Sequence, residues 1–244
     1  MKPMRLAPRQ DRPVPERPFH VSPGVHVCDC RTSYILLDCN ADRYYLFSGP
    51  QSAWFTEIRQ AGDCTRLSDA AYRFARRLCE MNLVTWHPED GHDALPQVRP
   101  PPSASLYDVP RPGAEPKFAW RTALAFLQAL ACATWLRRTA SLNRTLACAT
   151  RWKAHPAQDR SAETVRDLAR RFDRLTPYVF TSHEACFFRS LVLLKFLSLM
   201  GVPADWEFGV RPLPFSAHCW IEYEGMVLND HLDHASEYRK ILSV

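Results

Sequence analysis

The sequence predicts an α+β protein in two parts, and three observations carry that reading. Short β-prone runs and two helical patterns fill residues 19–90; a stretch rich in Pro, Gly, Asp and Ser follows; long helical patterns then precede a last group of strands. At 244 residues the chain has room for a small domain beside a larger one. The balance of 31 Lys and Arg against 26 Asp and Glu gives a mild net charge of +5. No basic stripe with interleaved aromatics accompanies it, so nucleic acid is not implied as a partner. Nine cysteines are an odd number, and the N-terminal MKPMRLAPRQDRPVPERPFH lacks the apolar segment of a secretory signal. Reduced thiols and a cytoplasmic location are therefore expected. The apolar runs 123–136 and 187–200 are each shorter than the roughly 20 residues of a membrane span and are interrupted or flanked by charge, which favours buried helices.

Residues 1–18, rich in Pro and Arg, read as a disordered lead-in. Val25 and Val27, then Tyr34-Ile35-Leu36-Leu37 and Tyr44-Tyr45-Leu46-Phe47, read as three strands of a small antiparallel sheet. Asn40-Ala41-Asp42 supplies the tight turn between the last two. Residues 52–61 form a short helical pattern. In 68–81, Ala71, Phe74, Ala75, Leu78 and Cys79 recur at helical spacing, with Leu67 ahead of Ser68 as the cap. Leu83-Val84-Thr85-Trp86 returns to strand character, so 19–90 has the element order of a winged-helix unit.

Residues 91–116, with Pro100-Pro101-Pro102 as a stiff element, read as the linker, and 117–244 as the second domain. There, 118–138 is an Ala- and Leu-rich helix. In 162–176, Val165, Leu168, Ala169, Phe172 and Leu175 share one face, and Pro177 ends the run. The run 186–199 is apolar on nearly every face, as expected of a central helix packed on both sides; Gly201 and Pro203 stop it. Residues 208–210, 218–223 and 226–228 are strand candidates, with a hairpin turn at Glu224-Gly225.

Cys186, His218 and Asp230 are the candidate chemistry. A cysteine in the first turn of a buried helix lies where unpaired N–H groups and the helix dipole favour a thiolate, and the same groups can stabilise an oxyanion. His218 follows on a strand as a candidate base and acid, and Asp230 can return across the hairpin to fix its tautomer. Each residue also has an ordinary reading: a small buried hydrophobe, a satisfied histidine and a loop cap. Cys219 is a rival nucleophile, but as the strand neighbour of His218 it is expected on the opposite face, in the core. Cys186, His218, Cys219, His231 and His234 include potential zinc ligands, without CxxC or HExxH spacing; Cys28 and Cys30 lack a second pair. No metal is expected.

The segments CFFRSLVLLKFLSLMGVPADWEFGV and AHCWIEYEGMVLND resemble the transglutaminase-like domain of lasso-peptide maturation peptidases, the microcin J25 processing-protein family. Residues 19–90 resemble the PqqD-like precursor-recognition element fused to that peptidase in proteobacterial members. The resemblance implies a papain/transglutaminase-like second domain with Cys186 as nucleophile, His218 as catalytic histidine and Asp230 as the acid. It aligns Arg189 with the family's arginine after the cysteine, a residue orienting substrate or structure, and Gly201 with its glycine. It implies removal of the leader from a ribosomally made precursor, with ATP used by a partner cyclase of the asparagine-synthetase type rather than bound by this chain. On that reading Arg43, Tyr44, Tyr45, Leu46 and Phe47 form the exposed edge to which an extended leader adds, and Arg73, Arg76 and Arg77 attract its acidic residues or serve as ordinary solvent-face charges. Two alternatives share these residues: a transglutaminase-like acyltransferase with an amine as acceptor, and a leader-binding adaptor without catalysis.

Overall fold

The computed structural model describes residues 19–61, 66–92, 100–109, 120–153, 161–179 and 186–244. The expected lead-in 1–18 and most of the expected linker 91–116 lie outside the described residues. In chain order the elements are β1 (His20–Val21), β2 (Val25–Asp29), β3 (Ser33–Asp38), β4 (Arg43–Ser48), α1 (Pro50–Gln60), α2 (Asp69–Glu80), β5 (Val84–Thr85), β6 (Ala104–Ser105), α3 (Trp120–Thr139), α4 (Leu142–Lys153), α5 (Ala162–Leu175), α6 (Cys186–Leu199), β7 (Asp205–Pro212), β8 (Phe215–Tyr223), β9 (Met226–Val227), α7 (Leu232–Ser236) and β10 (Arg239–Ser243). They divide into two compact units, one drawn from 1–23 and 49–95, the other from 24–48 and 96–244.

The smaller unit is built on α1 and α2, with Trp54 of α1 against Phe74 of α2 at 5.7 Å between ring centroids. Ser68 is the α2 cap: its Oγ accepts from the Ala71 N–H at 3.3 Å. The sequence reading gave that role to Leu67, which has no side-chain acceptor. Pro50 sits in the first turn of α1, where its missing N–H costs nothing. β1 and β5 pair antiparallel, Val21 opposite Val84.

In the larger unit β2, β3 and β4 form an antiparallel sheet in that order, with Leu36 opposite both Val27 and Tyr45. The expected turn forms because Asp38 Oδ1 accepts the N–H groups of Asn40 and Ala41, at 2.9 and 3.2 Å, and Asp42 takes a φ of 52°. β4 is an edge strand of this sheet. Ile35, Leu37 and Cys39 belong to the same core as Leu191 and Phe196 of α6. This shared core places 24–48 in the larger unit, whereas element order alone groups them with α1 and α2.

The central helix is α6, in contact with α3, α4 and α5 and with strands β7 and β8. Leu191, Val192, Leu193 and Phe196 are fully buried, which is why the run is apolar on nearly every face. The five-stranded sheet has the order β10-β7-β8-β9-β6, antiparallel except for β6 beside β9. Glu224 and Gly225, at φ 49° and 79°, make the turn from β8 to β9.

Part of the expected linker is structural. Ser103 donates its N–H to the Gly225 carbonyl at 2.9 Å, and 104–105 pair with β9 as an edge strand. α4, α7 and β10 were also not expected from the sequence. α4 buries only Thr145, Leu146 and Ala149, too little large apolar surface for a clear periodic signal. Among the described residues no helix is long and apolar enough to cross a membrane.

Candidate active site

Cys186 is the first described residue of α6, partly buried at the edge of the core. His218 lies on β8 opposite Gly209 of β7. Asp230 follows β9 and precedes α7. The structure brings these three together. His218 Nε2 and Asp230 Oδ2 stand 2.6 Å apart, with side chains 14% and 15% exposed, which leaves Nδ1 as the nitrogen for the Cys186 sulfur. Hydrogen bonding from the Cys219 thiol, then from His218, together with the His218 charge and the Cys219 backbone, outweighs burial and lowers the Cys186 pKa to about 4. Burial opposes charge on His218, but the Asp230 carboxylate and the Cys186 sulfur hold its pKa at about 9. A thiolate facing an imidazolium is therefore the resting state between those values.

Asp230 is held from several sides. Burial works against its charge, yet His218 and His234 hold its carboxyl below the usual range. His234 Nδ1 lies 2.7 Å from Oδ2, the same oxygen that meets His218, and Oδ1 accepts the His231 N–H at 2.8 Å. Ser105 donates its hydroxyl to the Asp230 carbonyl at 2.6 Å, so β6 helps fix the loop. Behind it, Asn229 accepts the Ile221 N–H at 2.8 Å and donates to Ser190 Oγ at 2.9 Å, and Ser190 donates to the Cys219 carbonyl at 3.2 Å. This buried chain ties the Asp230 loop to α6 and β8, and breaking it leaves buried polar groups unmet.

The imidazole of His218 is walled by Trp220, stacked at 5.8 Å between centroids, and by Tyr238 at 5.2 Å. Gly209 makes room for both: a Cβ there would lie 2.6 Å from Tyr238 Cβ and 2.7 Å from the Trp220 ring. Trp220 is itself fixed by donating Nε1 to Glu222 at 2.7 Å.

The remaining candidates fall in different places. Cys219 is buried in the core as expected, but its thiol also reaches Cys186, and burial followed by that contact pushes its own pKa up. Arg189 donates to Asp173 Oδ1 and to the Tyr107 hydroxyl, both at 2.8 Å, so its contacts tie α6 to α5 and to the turn after β6. Tyr44 packs with its ring tilted against Phe215 of β8, 5.7 Å between centroids. Burial, then the nearby Cys219, Cys39, Asp42 and Cys186, raise its pKa, so β4 approaches the thiol site. Tyr45 and Leu46 are half-buried, Phe47 is buried and Arg43 is exposed. Arg73, Arg76 and Arg77 are exposed on α2, in the smaller unit.

His218, Asp230 and His234 bring three potential metal-ligand atoms within 4.8 Å of one another. Their N···O separations of 2.6 and 2.7 Å are hydrogen-bond distances; ligands sharing a tetrahedral zinc ion stand about 3.3 Å apart. The cluster is closed on itself by hydrogen bonds and would have to open to take an ion. His87, Glu89 and Asp90 form the other such group among the described residues, all three exposed. His234, Asn229, Ser190 and Tyr238 are parts of the site that the sequence reading did not assign. His234, four residues after Asp230, stands out in the sequence only as a potential zinc ligand.

Residues 124–243 match the family model described as the transglutaminase-like superfamily, whose members are typically cysteine peptidases or acyltransferases. The match runs from within α3 to the end of β10 and includes Cys186, His218 and Asp230. No curated protein and no solved structure matches the chain significantly.

Proposed function

We propose that the protein is a cysteine peptidase that removes the leader from a ribosomally made lasso-peptide precursor, ahead of ring closure by an ATP-dependent, asparagine-synthetase-like cyclase. The convergence of Cys186, His218 and Asp230 inside a transglutaminase-like domain carries the reading. The Cys186 thiolate attacks the scissile carbonyl; the oxyanion is met by amides of the first turn of α6. His218 then gives its proton to the departing amine of the core peptide, leaving the leader as a thioester. Water deprotonated by His218 releases the leader acid and restores the thiol pair. The working window lies between about 4 and 9, since the thiolate is lost below the first value and the proton of the imidazolium above the second.

Residues 19–90 act in this reading as a PqqD-like recognition domain. Two surfaces are candidates for leader contact, each on its own unit: the edge strand β4, Arg43 to Phe47, to which an extended leader adds, and Arg73, Arg76 and Arg77 of α2, which attract acidic residues. Holding the leader there raises the effective concentration of its scissile bond at Cys186. Arg189 acts as a positioning residue through Asp173 and Tyr107. The family match also favours a second reading in which an amine replaces water and the thioester becomes an amide.

Intact-mass analysis of a lasso precursor, incubated with the cyclase and either wild type or Cys186→Ala, tests the proposal. Leader-free, ring-closed product with wild type and intact precursor with the variant is the expected result. Equal processing by both excludes Cys186 as nucleophile. Product carrying an added amine in place of the free leader acid establishes the acyltransferase.

A further inference from the structure

Among the described residues, nothing covers one face of α3. Trp120, Leu124, Leu127 and Trp135 are 67%, 47%, 59% and 54% exposed, and Ala131 between them is exposed as well. Their positions advance by four, three, four and four residues, so they lie in a single line along the helix. From Trp120 to Trp135 the line is about 22 Å long at 1.5 Å per residue. The opposite face of α3, including Ala125, Phe126, Ala129 and Leu136, is already in the core. Isolated exposed apolar side chains need no explanation, but four large ones in register on a 20-residue helix mark a contact surface.

The charges around this line have one sign. Residues 120–153, spanning α3 and α4, contain no Asp or Glu; Lys153 is paired with Asp205 of β7 and Arg137 lies over Phe188 of α6, while Arg121, Arg138, Arg144 and Arg151 are exposed. Arg121 and Arg144 lie over the rings of Trp120 and Trp135, each 5.7 Å from the ring centroid, so cations stand at both ends of the line.

We propose that this face of α3 docks one amphipathic helix of a partner protein, with apolar residues at the same three- and four-residue spacing and acidic residues beside them. The narrow seam suits a single helix, as in knobs-into-holes packing. These four exposed arginines, with no carboxylate on α3 or α4 to offset them, call for an acidic partner. A second copy of this chain would bring Arg121, Arg138 and Arg144 against their own kind. An anionic lipid surface would meet the same cations, and binding to phosphatidylglycerol vesicles separates the two occupants. The proposal is independent of the thiol chemistry, because none of these residues belongs to that site.

The test uses the full-length protein and labelled heptad peptides of about 21 residues, with leucine at the two seam positions and either glutamate or lysine at the flanking ones, read by fluorescence anisotropy. The expected result is micromolar to tens of micromolar binding of the glutamate peptide, as suits an interface of this size (about 10 µM). The lysine peptide binds at least about tenfold more weakly, and Leu124→Ser/Leu127→Ser lowers affinity for the glutamate peptide by at least about tenfold. Both leucines are surface residues, so an unchanged thermal transition and unchanged Cys186 alkylation show that the variant remains folded. Absence of binding, equal binding of the two peptides, or full binding by the double variant overturns the proposal. So does dimerisation that the double variant abolishes, or a preference for phosphatidylglycerol vesicles over the peptide.

Discussion

Cys186→Ser is expected to lower turnover by about 10⁴-fold or more while leaving the protein folded. The substitution keeps the shape of the side chain and removes its acidity. In the wild type, Cys219 and His218 stabilise a sulfur anion with a pKa of about 4; a serine hydroxyl in the same place stays protonated across the working range. His218 responds as well, because part of what holds its pKa near 9 is its contact with that sulfur. Its titration by NMR should move down in the serine variant, while the Asp230 contact at 2.6 Å persists. Retention of more than a tenth of wild-type turnover, or an unmoved His218 titration, argues against a thiolate–imidazolium pair.

Lys240→Met is expected to cost about 3–5 kcal/mol of stability. Lys240 on β10 donates to Glu222 Oε2 on β8 at 2.7 Å and stands 3.7 Å from Glu207 Oε1 on β7. The lysine is 7% exposed and the two glutamates 5% each. Removing the cation leaves two like charges buried between the strands, a worse state than an apolar replacement of all three groups. Glu222 also holds Trp220, the stacking partner of His218, so the variant should lose activity before it unfolds. Urea unfolding provides the check. A loss below about 1 kcal/mol would mean that water reaches the carboxylates, and the additional change Glu222→Gln should recover part of the deficit.

The central helix and the strands after it were legible because their signals are local. A largely apolar run of 14 residues followed by Gly201 and Pro203 is too long for a buried strand and reads as a buried helix, and Glu224-Gly225 between two β-prone runs reads as a two-residue hairpin turn. Cys186, His218 and Asp230 stand out as three residue types in order, and the resemblance supplies their alignment. What escaped depends on partners distant in sequence. Ser105 and Tyr107 lie in a stretch with linker composition, and only the parallel pairing with β9 and the contacts with Asp230 and Asp173 give them a place. Cys219 followed the alternation rule in pointing to the core, but strand periodicity says nothing about which helix residue lies above it. His234 sits on a short helix of five residues, and no periodic signal marks its approach to Asp230. The sheet of β2, β3 and β4 was read correctly strand by strand, while its place in the core of the larger unit depends on contacts with α6 neighbours that spacing alone does not reveal.

The most direct test of the thiolate pair is the pH dependence of alkylation by iodoacetamide, with the modified residue located by peptide mapping. Modification of Cys186 should run at its full rate from about pH 5 upward and fall through a midpoint near 4; His218→Ala should move that midpoint toward the ordinary thiol range of about 8.5. A Cys186 rate that rises only above pH 8 in the wild type, or low-pH labelling that falls on Cys219 instead, would contradict the assignment of Cys186 as the activated nucleophile.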